Sequence, residues 1–295
     1  MKNIHRYSCI LLLCFLFSHA KANDSYTIPI DLSKNTPLVE AKVGKETVYL
    51  SFDSGTYTSL IVKNDILKNN SDIVRFTGKY KHSIDASGKK QSNPEFELQK
   101  IFLGSYQAEK ILGHIYTPWG LSVSSDDGST NGENQKNNKT KDGVFGLDLL
   151  KNKHLIIDYP NKKLIILPED RLPEPYASLK WDPCKQHIDS NGVVMEGIFK
   201  GKRGRFLLDT GATGSFLKPS FLRSKKNIKN ITDNFKTNKG IDLGKIKFHL
   251  YEFVEPQVDG VLGYDFFHDK KIHIEIAVRE LPVCYISQNK SNFQQ

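Results

Sequence analysis

The 295-residue sequence predicts a mainly β chain made of two similar halves, and three observations carry that reading. A β-prone apolar run ends twice in an Asp-(Ser/Thr)-Gly turn: Val48-Tyr49-Leu50-Ser51-Phe52-Asp53-Ser54-Gly55-Thr56, and Gly204-Arg205-Phe206-Leu207-Leu208-Asp209-Thr210-Gly211-Ala212. A second block also recurs, Asp142-Gly143-Val144-Phe145-Gly146-Leu147-Asp148-Leu149-Leu150 against Asp259-Gly260-Val261-Leu262-Gly263-Tyr264-Asp265-Phe266-Phe267. The blocks come in the same order in both halves, which points to duplication.

Taken in chain order, residues 1–22 read as a secretory signal. Lys2, His5 and Arg6 precede an apolar run from Cys9 to Phe17 and an Ala20-Lys21-Ala22 end, which puts the mature start near Asn23. The apolar run is too short to span a membrane, and no later stretch approaches the ~20 apolar residues that spanning requires. The expected destination is therefore export, periplasmic or secreted, with no stable membrane insertion after cleavage.

The first lobe is expected over residues 23–167. Leu38 to Thr47 reads as strand and Gly/Lys turn, leading into the strand that ends at Asp53. Short helices are expected at Lys63 to Lys68 and Gly146 to Leu150, and a strand pair at His154 to Leu167. Lys79 to Lys90 alternates aromatic and polar residues before a Gly-containing turn, a candidate hairpin over a cleft with Tyr80, Ser87 and Gly88 at its covering end. An ordinary surface hairpin reads the same way. The tract from Ser122 to Lys141 has almost nothing to bury and is expected to be a mobile, non-catalytic surface loop over 122–141.

Residues 168–183 form a linker, with prolines at 168, 173, 175 and 183 that favour extended chain. The second lobe, residues 184–287, repeats the pattern. Val193 to Lys202 leads into Asp209, short helices are expected at Pro219 to Arg223 and Tyr264 to Phe267, and a strand pair at Lys271 to Ile286. Residues 288–295 are a polar tail. The interval from Asp53 to Gly146 is 93 residues (146 − 53) but that from Asp209 to Gly263 is only 54 (263 − 209), so only the first lobe has chain to spare for a covering hairpin.

Composition narrows the function classes. Loss of Lys2, Arg6 and Lys21 with the signal takes Lys+Arg from 42 to 39 against 33 acids, a moderate excess spread among Asn, Asp and Ser. Nucleic-acid binding would concentrate that charge with aromatics on one face. Of four cysteines only Cys184 and Cys284 lie outside the signal. Export permits a disulfide between them, closing 100 residues (284 − 184), for which chain entropy gives about 4 to 5 kcal/mol as an upper figure. Two unpaired buried thiols are the alternative.

There is no Gly-x-Ser-x-Gly elbow, His-Glu-x-x-His, phosphate loop or Cys-x-x-Cys, so serine-hydrolase, zincin, nucleotide and zinc-ribbon chemistries lack their starting residues. No metal or cofactor is expected. His154, His249 and His273 read as packing residues, and Asp142, Asp148, Asp259 and Asp265 as turn-bonding residues rather than calcium ligands.

The paired Asp-(Ser/Thr)-Gly motifs, each followed by two apolar residues and Gly, resemble the aspartic peptidases; the chain is similar to two fused retropepsin-like modules of bacterial type, over most of residues 28 to 286. The resemblance implies a bilobal acid-protease-like fold, two pseudo-two-fold-related β lobes with a cleft between them. It places Asp53 and Asp209 on the catalytic aspartates and Ser54 and Thr210 on the hydroxyls that brace the two loops. Gly55, Thr56, Gly211 and Ala212 support the turns, and Gly146 and Gly263 close a psi-shaped loop in each lobe. Tyr57, bulky and close to the first turn, departs from the pattern at the cleft floor.

The implied activity is endopeptidase cleavage of an extended polypeptide by a monomer, since two copies in one chain remove the need to dimerise. The chemistry needs two carboxyls. One takes a proton from water while the other polarises the carbonyl, and two held about 3 Å apart share one proton because they cannot both ionise readily; aspartic proteases are the standard instance. The competing reading is a peptide-binding module on the same fold that has lost turnover.

Overall fold

The computed structural model describes residues 25–84, 88–117, 140–167, 172–184, 186–189, 192–222, 228–254, 257–276 and 283–287. Residues 1–22, where a signal is expected, the tract 118–139 and the tail 288–295 lie outside them. The first half contributes β1 (Tyr26–Pro29), β2 (Leu38–Val43), β3 (Glu46–Asp53), β4 (Leu60–Val62), helix α1 (Asn64–Asn69), β5 (Val74–Ile84), β6 (Lys90–Leu103), β7 (Tyr106–Ile115), β8 (Gly143–Gly146), a 3-10 helix (Leu147–Leu150), β9 (Lys153–Asp158) and β10 (Lys163–Leu167). The second half contributes β11 (Trp181–Cys184), β12 (Gln186–Asp189), β13 (Gly192–Phe199), β14 (Lys202–Leu208), β15 (Ser215–Leu217), α2 (Pro219–Leu222), β16 (Asn230–Thr237), β17 (Asp242–Leu250), β18 (Gly260–Leu262), α3 (Tyr264–Phe267), β19 (Lys271–Ile276) and β20 (Val283–Ser287).

Mainly β, bilobal architecture is what these elements build. In the first lobe β2-β3-β8-β4-β7-β6-β5 form one sheet, and an extra β2–β6 pairing closes the first six strands into a barrel, leaving β5 outside. In the second, β12-β13-β14-β18-β15-β17-β16 are closed by β13–β16, again six strands, leaving β12 outside. Closure removes the exposed edges of each barrel. Strand alternation supplies the cores: in β2, Ala41 and Val43 are buried while Glu40 and Lys42 face water, and in β3, Val48, Leu50 and Phe52 turn inward. Phe206, Phe235 and Phe248 fill the second barrel, with Phe206 and Phe235 edge-to-face at 4.8 Å.

The third sheet departs from the sequence expectation. The strand pairs β9–β10 and β19–β20 were each expected within one lobe, but β9 pairs with β19, and the six strands run β1-β10-β9-β19-β20-β11. One shared sheet thus spans the two halves. Its residues Leu155, Ile157, Ile272, Ile274 and Ile276 face the main core. On the other face Ile156, Ile165 and Leu167 form a small cluster with Tyr176.

The linker differs from expectation as well. Residues 174–178 are turned rather than extended, and the segment packs on the sheet. Tyr176 is buried, its hydroxyl donating to the fully buried Asp158 carboxylate at 2.6 Å, and Trp181 donates its indole N–H to the Tyr176 carbonyl at 2.9 Å. Apolar burial and two hydrogen bonds override the extended preference of its prolines. In β11 and β20, Cys184 and Cys284 stand directly opposite one another, a pairing whose Cα spacing of about 4.5 or 5.5 Å lies within disulfide range. The Cys184 side chain lies outside the described residues; Cys284 is buried.

Candidate active site

Asp53 is the last residue of β3, and Asp209 follows β14 immediately. In both lobes that strand runs parallel to the strand carrying the second Asp-Gly block. Asp53 lies beside Gly146, and the Asp209 amide donates to the Leu262 carbonyl at 3.0 Å, next to Gly263. A side chain on Gly146 or Gly263 would strike backbone carbonyls of the opposing turn, those of Thr56 and Thr58 in one lobe and those of Ala212 and Gly214 in the other. After each glycine the chain is held to the aspartate turn: Leu147 N–H donates to Thr56 O at 3.1 Å, and Tyr264 N–H to Ala212 O at 3.0 Å.

The other repeated aspartates hold the same loops. Asp142 accepts the Tyr49 amide at 3.0 Å and Asp259 the Arg205 amide at 2.8 Å. Ser59 donates to Asp148, and Ser215 to Asp265 at 2.6 Å. Each repeated carboxylate thus has a structural donor in its own lobe.

The two turns meet face to face. Ser54 N–H donates to the Thr210 hydroxyl at 3.0 Å and Thr210 N–H to the Ser54 hydroxyl at 3.2 Å. Each hydroxyl then donates across the seam to a strand carbonyl, Ser54 to Leu208 at 2.7 Å and Thr210 to Phe52 at 2.9 Å. Both residues are buried, so this closed set of four bonds fixes the loops without competition from water.

Above it, each carboxyl accepts from its own turn. Gly55 donates to Asp53 Oδ1 at 2.8 Å; Gly211 and Ala212 donate to Asp209 Oδ1 at 2.8 and 3.1 Å. Each carboxyl also packs on the partner turn: a Cβ on Gly55 would lie 2.8 Å from Asp209 Cγ, and one on Gly211 2.9 Å from Asp53 Cγ. The carboxyls are within hydrogen-bonding reach of each other.

Burial raises both pKa values above the ordinary 3.8. Asp209 goes up further, because the charge on Asp53 and the bond the carboxyls share add to burial. Asp53 is drawn back by the Gly55 amide, the shared bond and the charge of Lys141. A pair this close titrates as a unit that holds one proton over a window of pH.

No protein-family model and no curated protein matches the sequence. Among solved structures, the chain is similar to the aspartic proteinase from Irpex lacteus, at 10% identity and a TM-score of 0.58, covering 92% of this chain and 99% of that one. That likeness is one of fold, over nearly the whole of both chains.

The candidate hairpin is longer than expected. The strands β5 and β6 pair from Val74↔Leu98 out to Ile84↔Lys90, and Tyr80 stands opposite Pro94, largely exposed. Ser87 lies outside the described residues. Gly88 is described, and a Cβ there would lie 3.2 Å from Val254 Cγ2, so the hairpin tip reaches the second lobe's segment after β17. Among the described residues no strand lies beyond β16 in the second lobe as β5 lies beyond β6 in the first. Tyr57 is half-buried and packs against the core.

Two further charged or polar residues act on the carboxyls. Lys141, the final residue of the polar tract expected to stand apart from catalysis, is half-buried, with its ammonium 6.0 Å from the centre of the Tyr116 ring. Burial lowers its pKa, and the charges of Asp53 and Asp209 oppose that shift. Its signal in the sequence was adjacency: it immediately precedes the first Asp-Gly block. Tyr159, buried and stacked on Phe267 at 5.5 Å, has its pKa raised well above 10 by burial and then by the Asp209 charge. Nothing in the sequence distinguishes it from a core tyrosine.

Proposed function

We propose that the chain is an aspartic-type endopeptidase that cleaves extended polypeptides, with Asp53 and Asp209 as its catalytic pair, one from each lobe. The observation that carries the reading is the meeting of these two carboxyls, each packed on the other's glycine turn and both raised in pKa by burial. One carboxylate accepts a proton from a water lying between the pair as its oxygen attacks the scissile carbonyl carbon. The protonated partner donates to the carbonyl oxygen, giving a neutral tetrahedral diol. Proton transfer to the amide nitrogen then lets the C–N bond break, releasing acid and amine and returning the pair to one shared proton. The Ser54–Thr210 bonds hold the carboxyls in register throughout.

The substrate lies as a strand in the cleft beneath the β5–β6 hairpin, bound through its backbone. The amino-terminal signal directs the chain to the periplasm or the medium, where it works as a monomer.

The test is cleavage of a denatured protein across acidic to neutral pH. Asp53→Asn and Asp209→Asn are each expected to lose activity by a factor on the order of 10³ or more. Full activity in either variant would defeat the shared-pair mechanism; binding of extended peptides without turnover by the unaltered chain would identify a binding module instead.

A further inference from the structure

The face of the shared sheet that turns away from the main core brings together three donors from the two halves of the chain. His154 lies on β9; His273 and Glu275 lie on β19. Glu275 is directly opposite His154 in the register, and His273 is two residues along the same strand, so all three side chains leave the same face. His154 Nδ1 and His273 Nε2 are 3.3 Å apart. With the Glu275 carboxylate, one donor atom from each residue lies within 4.8 Å of the other two.

We propose that His154, His273 and Glu275 form a binding site for a divalent transition metal of the zinc class, clamping the first half of the chain to the second. Two nitrogens at Zn–N distances of 2.0–2.1 Å on a tetrahedral ion are separated by about 3.3–3.4 Å, so the nitrogens that now share a hydrogen bond stand at the spacing of two ligands, and binding would replace that bond and tilt the stacked rings, 5.5 Å between centres, towards one ion. The Glu275 carboxylate, within 4.8 Å of both nitrogens, would turn onto the same point. Two imidazoles and a carboxylate suit zinc, copper or nickel rather than calcium or magnesium, which take oxygen donors.

The surroundings support a site held in place. His273 is buried, in edge contact with Trp181 at 5.7 Å and stacked on Tyr285 at 5.3 Å. The Tyr285 hydroxyl hydrogen-bonds to Glu275, orienting the carboxylate as outer groups around metal sites do. The half-buried positions of His154 and Glu275 leave an open side for a water as fourth ligand. A metal here joins β9 to β19, where a strand of the first half pairs with a strand of the second, so its binding stabilises the shared sheet.

The experiment uses the untagged full chain, stripped with a chelator and titrated with Zn²⁺ by calorimetry and with Co²⁺ by visible absorption. One ion per chain is expected, with Co²⁺ showing the intense visible bands of four-coordination and Zn²⁺ raising the thermal midpoint. His154→Gln and Glu275→Gln, both at half-buried positions, should each weaken Zn²⁺ binding at least tenfold, and Asp53→Asn should leave it unchanged. Failure to take up stoichiometric Zn²⁺ overturns the proposal. So does unchanged affinity in both variants, which would place the ion elsewhere.

Discussion

Ser54 and Thr210 exchange hydrogen bonds across the seam between the lobes, each amide donating to the other's hydroxyl at 3.0 and 3.2 Å. With the bonds to Leu208 and Phe52, each side chain answers a backbone group of the opposite half. The lobes are therefore locked together at the level where the carboxyls project.

Thr210→Val keeps the shape and deletes the hydroxyl. It leaves the buried Ser54 amide and Phe52 carbonyl without their partner, at about 1–3 kcal/mol for each group. The expected loss is about 2–4 kcal/mol in urea unfolding, with a drop in kcat because the carboxyls lose their alignment. Adding Ser54→Ala should cost less than the sum of the singles, since both act in one network. Additive losses would show that the bonds act independently.

The carboxyl pair sets a pH dependence of stability. A carboxyl whose pKa is raised on folding contributes stability in full below its unfolded value, about 3.9, and loses that contribution as pH rises through the folded value. Asp209 is raised most, by burial and then by Asp53. The chain should lose stability as pH climbs from acidic towards neutral, and Asp209→Asn should flatten that fall. Urea midpoints at several pH values read it directly; parallel curves for the two proteins would refute it.

Lys141 should tune the acid limb of activity. Its positive charge lowers the pKa of Asp53. Lys141→Met should therefore shift the acid limb of the kcat/KM profile to higher pH. A limb at the same pH in the variant would show that the ammonium does not act on the pair.

Tyr80 tests the hairpin. The side chain is 60% exposed, so Tyr80→Ala should leave the unfolding midpoint within about 0.5 kcal/mol of the parent. If the hairpin covers substrate, the same change should lower kcat/KM for peptide cleavage by about tenfold. Unchanged kinetics would assign Tyr80 to an ordinary surface strand.

Much of the architecture was legible because the chain states it twice. The alternation in Leu38 to Val43, the turns after Asp53 and Asp209, and the short helices before Leu150 and Phe267 follow from local patterning, and the structure has elements at each. The repeat paired each aspartate with its own glycine. The excess of 93 over 54 residues between them placed the extra strand β5 in the first lobe.

Contacts between residues remote in the chain were decided elsewhere. His154 and His273 are 119 positions apart, and only the pairing of β9 with β19 turns two packing histidines into neighbours. Lys141 ends a tract that composition marks as solvent-facing, yet its position before β8 sets its charge near the carboxyls. The linker prolines favoured extended chain, but burying Tyr176 against Asp158 outweighed them.

By itself the sequence determined the duplication, the β character and the two aspartate turns, because those depend on neighbours a few residues away. The tertiary structure alone decided how the halves share a sheet, which groups surround the carboxyls and where their pKa values move. Burial and charge proximity belong to the packed molecule and have no local pattern to read.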